Sequence, residues 1–233
     1  MTSRPLLESC VDSVDAAVAS ERGGAGRIEL CADLDVGGTT PDAALVARSV
    51  ERVAIPVFVM IRPRGGDFVY DANDVRVMER AIRAATASGA RGIVAGALRR
   101  DGTIDDETMR RVLDAAWPLP VTCHRAIDAT RDLGEALGAL LALGVARVLT
   151  SGGAPTAADG AETIAKLVVQ AGDALVVMAG GAVRAPNVAD LVRRTRVREV
   201  HARLTGPRPG LSGEPQIAAW EAAVCEVARA VPI

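Results

Sequence analysis

Pro56-Val57-Phe58-Val59-Met60-Ile61-Arg62-Pro63-Arg64-Gly65-Gly66-Asp67 is the stretch from which the fold is read. Five apolar residues, Val57 to Ile61, run unbroken into two arginines that flank a proline, and paired glycines follow. A strand with no polar position on either face is covered on both sides, as in parallel sheets. It ends by delivering cations to its own exit. The same grammar recurs along the chain, and eight segments read as strands: Leu6 to Ser9, Arg27 to Cys31, Val57 to Arg62, Gly92 to Gly96, Pro120 to His124, Arg147 to Ser151, Leu175 to Ala179 and Glu199 to Ala202.

Helical signals fill the gaps. Asp12 and Asp15 resemble a capping box, Thr40-Pro41 places a proline just inside a helix, Pro186 repeats that device, and Asp105 caps the fourth helix. Gly24, Gly89 and Gly144 each end a helix shortly before a strand restarts. Alternation of this kind predicts a parallel sheet wrapped in helices. Eight units predict closure into an α/β (β/α)8 TIM barrel, a single domain over residues 1–233. In such barrels the site lies at the C-terminal ends of the strands. The open doubly wound alternative would want Gly-x-Gly-x-x-Gly after the first strand, and the chain has none there. The longest connections, Pro63 to Asn73 and Arg203 to Glu214, both leave the expected active end.

Composition narrows the function classes. With 233 residues, 49% of them hydrophobic, the chain can bury one large core. A net charge of -2 gives no basic field for a phosphate backbone, so no nucleic-acid partner is expected. No apolar run approaches the roughly 18 residues of a membrane span, and no long apolar leader opens the chain, so the expected location is cytoplasmic. Cys10, Cys31, Cys123 and Cys225 form no CxxC pair, which argues against a disulfide framework or a structural zinc. Lys166 is the only lysine and falls inside the helical pattern after the sixth strand, which disfavours a Schiff base.

Several segments, in order, carry a family resemblance: Leu7-Glu8-Ser9-Cys10-Val11-Asp12-Ser13, Arg27-Ile28-Glu29-Leu30-Cys31, Val57 through Phe68, His124-Arg125-Ala126, Leu149-Thr150-Ser151-Gly152-Gly153, and Glu199-Val200-His201-Ala202. With these the chain resembles the CutC family, named for copper homeostasis, and the resemblance implies a TIM barrel. It also implies that Cys10 and Cys31 inherit the role of Cu(I) ligands, with a copper ion as cofactor or cargo. The departures are Cys123 where an aromatic residue is usual, Ala179 and Ala182 after the seventh strand, and a short segment beyond Ala202.

The residues themselves support two chemistries. Strand positions two apart share a face, so Glu8 points with Cys10, and Glu29 with Cys31, on strands about 4.8 Å apart. Both sulfurs then reach one soft Cu(I), or they are plain buried thiols. Glu8 and Glu29 sit in apolar strands, where a carboxylate needs a partner. Arg62, Arg64 and Arg125 are the expected cations, and the pair reads as general acids or bases, with a structural ion-pair network as the alternative. His124 and His201 end the fifth and eighth strands, suited to proton transfer or, with Glu8 or Glu29, to a two-His, one-carboxylate metal site. Arg62 and Arg125 read as a clamp for an anion, with Arg64 to Asp67 as its movable rim. Gly152, Gly153, Gly180 and Gly181 read as phosphate-cradling turns or as turns alone. Ser151, His124 and Asp128 have the residue types of a triad but lack a Gly-x-Ser-x-Gly elbow. The two functions left open are copper binding and handling, and acid–base enzymology on a small anionic or phosphorylated metabolite. The oligomeric state is open as well, a homo-oligomer included.

Overall fold

The structure, a computed structural model, describes residues 4–206 and 210–232. The strands are β1 Leu6–Val11, β2 Arg27–Leu30, β3 Val57–Met60, β4 Gly92–Ala95, β5 Val121–Cys123, β6 Arg147–Thr150, β7 Val176–Gly180 and β8 Glu199–Ala202. The helices are α1 Val14–Arg22, α2 Ala43–Arg52, α3 Ala72–Ala87, α4 Asp106–Ala116, α5 Leu133–Leu143, α6 Ala161–Ala171, α7 Ala185–Thr195 and α8 Gly213–Ala230. All strand neighbours are parallel, and β1 pairs with both β2 and β8, so the sheet closes as the (β/α)8 reading expects. Among the described residues no helix is long and apolar enough to cross a membrane.

Two helix starts differ from the sequence reading. Ser13, whose hydroxyl accepts the Ala16 N–H at 3.3 Å, caps α1 in place of an Asp12–Asp15 box. Pro41 lies outside α2, which begins after Asp42 takes the Leu45 N–H at 2.6 Å. Asp105 does cap α4, and Pro186 stands in the first turn of α7. A full capping box occurs instead at Asp71 and Asp74 on α3. The segment beyond Ala202 holds α8, which runs for 18 residues and packs on α1 and α7. Pro207 to Pro209, within the last long connection, lie outside the described residues.

Outward strand residues such as Ile28, Val59, Ile93 and Val148 meet helix residues such as Met78, Met109, Leu140 and Ile164 in one apolar shell. Inside the barrel, register stacks side chains in layers of four from alternate strands. Arg27, Gly92, Arg147 and Glu199 form the lowest layer; Glu8, Phe58, Thr122 and Met178 lie above it. Glu29, Val94, Leu149 and His201 come next, and Cys10, Met60, His124 and Gly180 face the mouth. Gly92 is required where it stands: a Cβ there would come within 2.5 Å of the Phe58 ring, which fills its quadrant. Barrel interiors are commonly packed with Val, Ile and Leu; this one is charged along its axis.

Candidate functional site

The floor of the site is an ion network. Arg27 donates to Glu8 Oε2 through Nε and to Glu199 Oε2 through Nη2. Arg147 Nε donates to the same Glu199 oxygen at 2.7 Å. The Phe58 ring lies against both guanidinium groups, with Cζ of Arg27 4.9 Å and of Arg147 5.3 Å from its centroid. Arg62, Arg64 and Arg125 are therefore not the partners of Glu8 and Glu29, contrary to expectation. The residues that the sequence reading missed are Arg27, Arg147 and Glu199. Their signal was present: each is a charged residue at the first position of an even-numbered strand.

Glu8 is fully buried, and burial raises its carboxyl above the ordinary range, only partly offset by Arg27 and then His201. Its Oε1 has no hydrogen-bond partner and stands 4.0 Å from His201 Nε2. Higher up, Glu29 Oε2 and His201 Nε2 are 2.7 Å apart. Burial works against both charges, but their mutual attraction prevails. Glu29 is held below its usual range and His201 well above its own, an imidazolium–carboxylate pair. Glu29 Oε1 is again buried without a partner.

Cys10 and Cys31 place their sulfurs 3.9 Å apart on the neighbouring strand ends. The facing Cys31 and burial push the Cys10 thiol far up. Cys31 reaches about 11: Cys10 favours its thiolate, but burial and Glu29 outweigh that. Both are thiols at neutral pH, so a metal must displace their protons. Cys10, Glu29 and Cys31 bring ligand atoms within 4.8 Å of one another, and so do Glu8, Glu29 and His201. Glu29 belongs to both sets. His124 belongs to neither, so the two-His, one-carboxylate arrangement does not form among the described residues.

His124 is held differently from His201. Its Nδ1 accepts the Ala126 N–H at 3.1 Å, its Nε2 is buried without a partner, and the Phe68 ring lies 5.0 Å away. Burial lowers its pKa to about 4, so the ring is neutral. Gly96 makes room for it, since a Cβ there would meet His124 Cε1 at 2.8 Å.

Arg62 spends most of its fork on the protein. It donates to the carbonyls of Val36 at 2.9 Å, Gly38 at 3.1 Å and Gly66 at 2.8 Å, and lies over Phe68. It fastens two loops over the mouth and keeps Nε free of protein partners. Arg64 is clipped to Asp67 at 2.9 Å and Asp74 at 3.2 Å. Arg125 donates to Asp128 and to Ser151 Oγ, both at 2.8 Å.

The glycine turn after β6 is already filled. Asp128 accepts from the Ser151 N–H at 3.0 Å, the Gly153 N–H at 3.1 Å, and the hydroxyls of Ser151 and Thr150. The Gly152 N–H goes to Thr150 Oγ1 at 2.8 Å. A protein carboxylate thus occupies the cradle in which a phosphate was expected at Gly152 and Gly153, and the Ser151–His124–Asp128 triad does not form. Gly180 packs against Leu149 and His201, whereas Gly181 lines the cavity.

That cavity, about 270 Å³, gathers Cys10, Glu29, Arg62, His124, Arg125 and His201 with Met60, Phe68 and Leu149. Arg184 and Arg203, which the sequence reading passed over, complete its rim. Arg203 continues the two-residue alternation of Glu199 and His201, a signal that could have found it. Its lining holds four arginines and one carboxylate, Glu29. Arg125 is paired with Asp128 at 2.8 Å and Arg203 with Asp35 at 3.5 Å, whereas Arg62 and Arg184 have no carboxylate partner among the described residues, so the cavity keeps a positive bias that favours an anion. A larger groove of about 440 Å³ runs between α4 and α5, but Arg99, Arg110 and Arg131 there are paired with Asp106 and Glu135.

The comparisons agree with this architecture. The family model of the CutC family matches residues 5–206. A family protein CutC of Caulobacter vibrioides is 43% identical over 98% of this chain and 97% of its own length. The copper homeostasis protein cutC homolog of Homo sapiens is 48% identical over 84% of this chain and 72% of that protein. The crystal structure of a CutC protein from Streptococcus agalactiae superposes with a TM-score of 0.80 at 33% identity, covering 84% of this chain and 97% of that one.

Proposed function

The chain belongs to the CutC family, and from that premise we propose that its barrel mouth binds a small anionic metabolite and moves a proton on it. The observation that carries this reading is the cavity in which Arg62, Arg125, Arg184 and Arg203 surround the Glu29–His201 pair and the unpartnered His124 Nε2. Its volume, about 270 Å³, falls just below the range of about 300–1,000 Å³ usual for ligand pockets, which restricts it to a small molecule. Arginine forks suit a carboxylate, and with the β6 turn occupied by Asp128 a carboxylated ligand is favoured over a phosphorylated one. Glu29 and His201 are the acid–base pair; Arg184 and Arg203 anchor the anion. A thermal-shift series with oxalate, malonate, citrate and phosphate against chloride tests this. A ligand at 100 times its Kd adds about 2.7 kcal/mol, or roughly 5–10 °C for a chain of this length. The expected shift is lost in Arg203→Ala and Arg184→Ala. No shift beyond the chloride control with any anion would overturn the reading.

A second reading is favoured by the 3.9 Å between Cys10 and Cys31. With thiolate bonds of about 2.3 Å, the length found for zinc, that separation gives a sulfur–metal–sulfur angle of about 116°, which suits two corners of a three-coordinate site and not a linear two-coordinate Cu(I). Glu29 lies within 4.8 Å of both sulfurs as a third donor. The human and mouse relatives bear the name copper homeostasis protein; for this chain Cu(I) as cargo, in a reducing cytoplasm that keeps its four thiols free, is the proposal. Competition with a chromophoric Cu(I) chelator decides it: the Cys10→Ala/Cys31→Ala double variant loses high-affinity binding, and equal affinity for both proteins rejects the site.

A further inference from the structure

We infer that the site enolises a small oxo- or hydroxy-acid, with His124 as a fixed hydrogen-bond donor to the substrate carbonyl and Glu29 as the base. The inference rests on the small-anion reading above and names its reaction. It begins with two of the three unpartnered polar atoms that the residues of the cavity carry, His124 Nε2 and Glu29 Oε1, the third being Arg62 Nε. A backbone N–H can only donate, so the bond from Ala126 N–H to His124 Nδ1 at 3.1 Å leaves Nδ1 without a proton and puts the ring proton on Nε2. Nε2–H is buried and finds no acceptor in the protein. An unsatisfied donor on the wall of a ligand cavity calls for an acceptor on the ligand. Glu29 Oε1 is the converse, a buried acceptor with no donor, while its other oxygen is held by His201 at 2.7 Å.

A donor fixed toward an oxygen, a carboxylate with one free oxygen, and arginines for a substrate carboxylate are the parts needed to remove a proton next to a carbonyl. The carbon–hydrogen bond breaks, the proton passes to Glu29 Oε1, and the electron pair becomes an enolate whose oxygen accepts from His124 Nε2–H. Return of the proton to the same carbon, or to its neighbour, gives an epimer or an isomer. No oxidant or reductant is required. His124 keeps its Nε2 proton throughout and transfers none. Changing its state would require a proton at Nδ1, against the Ala126 N–H.

The test is deuterium incorporation. The protein is incubated in D2O with pyruvate, hydroxypyruvate, 2-oxoglutarate or oxaloacetate, and loss of the proton signal next to the carbonyl is followed by NMR, with oxalate binding measured in parallel as a planar enolate mimic. The expected result is exchange above the buffer rate with at least one probe, reduced at least 100-fold in Glu29→Gln. Removing the donor in His124→Phe should cost about 10²–10³, with partial recovery in His124→Gln, which keeps an N–H. Oxalate binding without exchange of any probe overturns the enolisation and leaves the small-anion reading standing. Failure of oxalate and every other anion to bind overturns that earlier reading. Nitrogen-15 spectra give an independent check that the variants' folding cannot confound: His124 should remain the Nε2–H tautomer from pH 8 to 5, and an Nδ1–H tautomer or an imidazolium in that range overturns the inference.

Discussion

Replacing Arg27 by methionine removes the cation that joins Glu8 to Glu199 beneath the site. Glu199 keeps Arg147, with contacts of 2.7 and 3.2 Å, and is the lesser loser. Glu8 keeps only His201, 4.0 Å away, and has no access to solvent. Breaking a buried pair by removing one partner costs about 3–5 kcal/mol. The structure supplies its own bound on the Glu8 share, because the carboxyl escapes by taking up a proton. From an ordinary value of 4.5, carrying that proton at pH 7 costs about 3.4 kcal/mol at 1.36 kcal/mol per unit, and at pH 5 only about 0.7 kcal/mol. The sign follows from linkage: a carboxyl whose folded pKa lies above its unfolded one loses stability as pH rises from 4.5 toward the folded value. Urea unfolding of the wild type and Arg27→Met should therefore differ by about 3–5 kcal/mol at pH 7 and by about 1–2 kcal/mol at pH 5, and Glu8→Gln added to Arg27→Met should recover most of the loss at pH 7. A loss below about 1 kcal/mol, or one that does not change between pH 5 and 8, refutes the buried network as described.

Gly92→Ala forces a methyl into the Phe58 ring at 2.5 Å and should cost about 1–3 kcal/mol, measured by urea unfolding; Phe58→Leu in the same chain should return part of it. For the Glu29–His201 pair the linkage window is set from both sides. The lowered Glu29 contributes fully above 4.5 and loses its share as pH falls through its folded pKa, and the raised His201 contributes fully below 6.5 and loses its share as pH rises through its own. Stability relative to Glu29→Gln/His201→Gln should therefore peak between pH 4.5 and 6.5, and a pH-independent difference rejects the ion pair. Asp128→Ala should empty the turn at Ser151 and Gly153, so that inorganic phosphate raises the Tm of the variant and not of the wild type at matched ionic strength; equal responses reject the filled-cradle account.

The barrel was legible because outer-face burial writes itself into composition. Val57 to Ile61 and the other apolar runs become strands, with ends moved by one or two residues, as at β1, which continues to Val11. Helix starts were less legible, since Pro41 and Asp12 stand one residue from the true caps, Asp42 and Ser13, and only backbone geometry separates those positions. The mouth was legible in residue type and not in partnership. Cys10, Glu29, His124 and His201 were expected at the strand ends and meet there. Partners could not be read, because Arg27 lies 19 residues from Glu8 and 172 from Glu199, and closure of the barrel alone brings them together. Arg62 looked like a free clamp because its type is visible in the sequence, whereas the carbonyls of Val36, Gly38 and Gly66 that occupy it depend on loop shape. Asp128 filled the glycine turn for the same reason.

The corrected partnerships change what the interior does. Glu8, Glu29 and Glu199 face Arg27, Arg147 and His201 along the axis, three carboxylates against three bases, so the column is neutral when every group is charged. An unbalanced charge in that interior is expensive. Any proton that Glu29 gains from a ligand must therefore be felt by the groups below it. Glu8 is the one placed to respond: its free oxygen stands 4.0 Å from His201 Nε2, and burial holds its carboxyl above the ordinary range, nearer the working pH. On the proposed proton transfer the charged floor would take part in the acid–base chemistry above it, and the pH dependence of the Arg27 variant reads the coupling between Glu8 and the Glu29–His201 pair. Two thiols placed for a metal would need no such column beneath them, which is the physical reason that proton transfer ranks above metal carriage as the reading of this barrel.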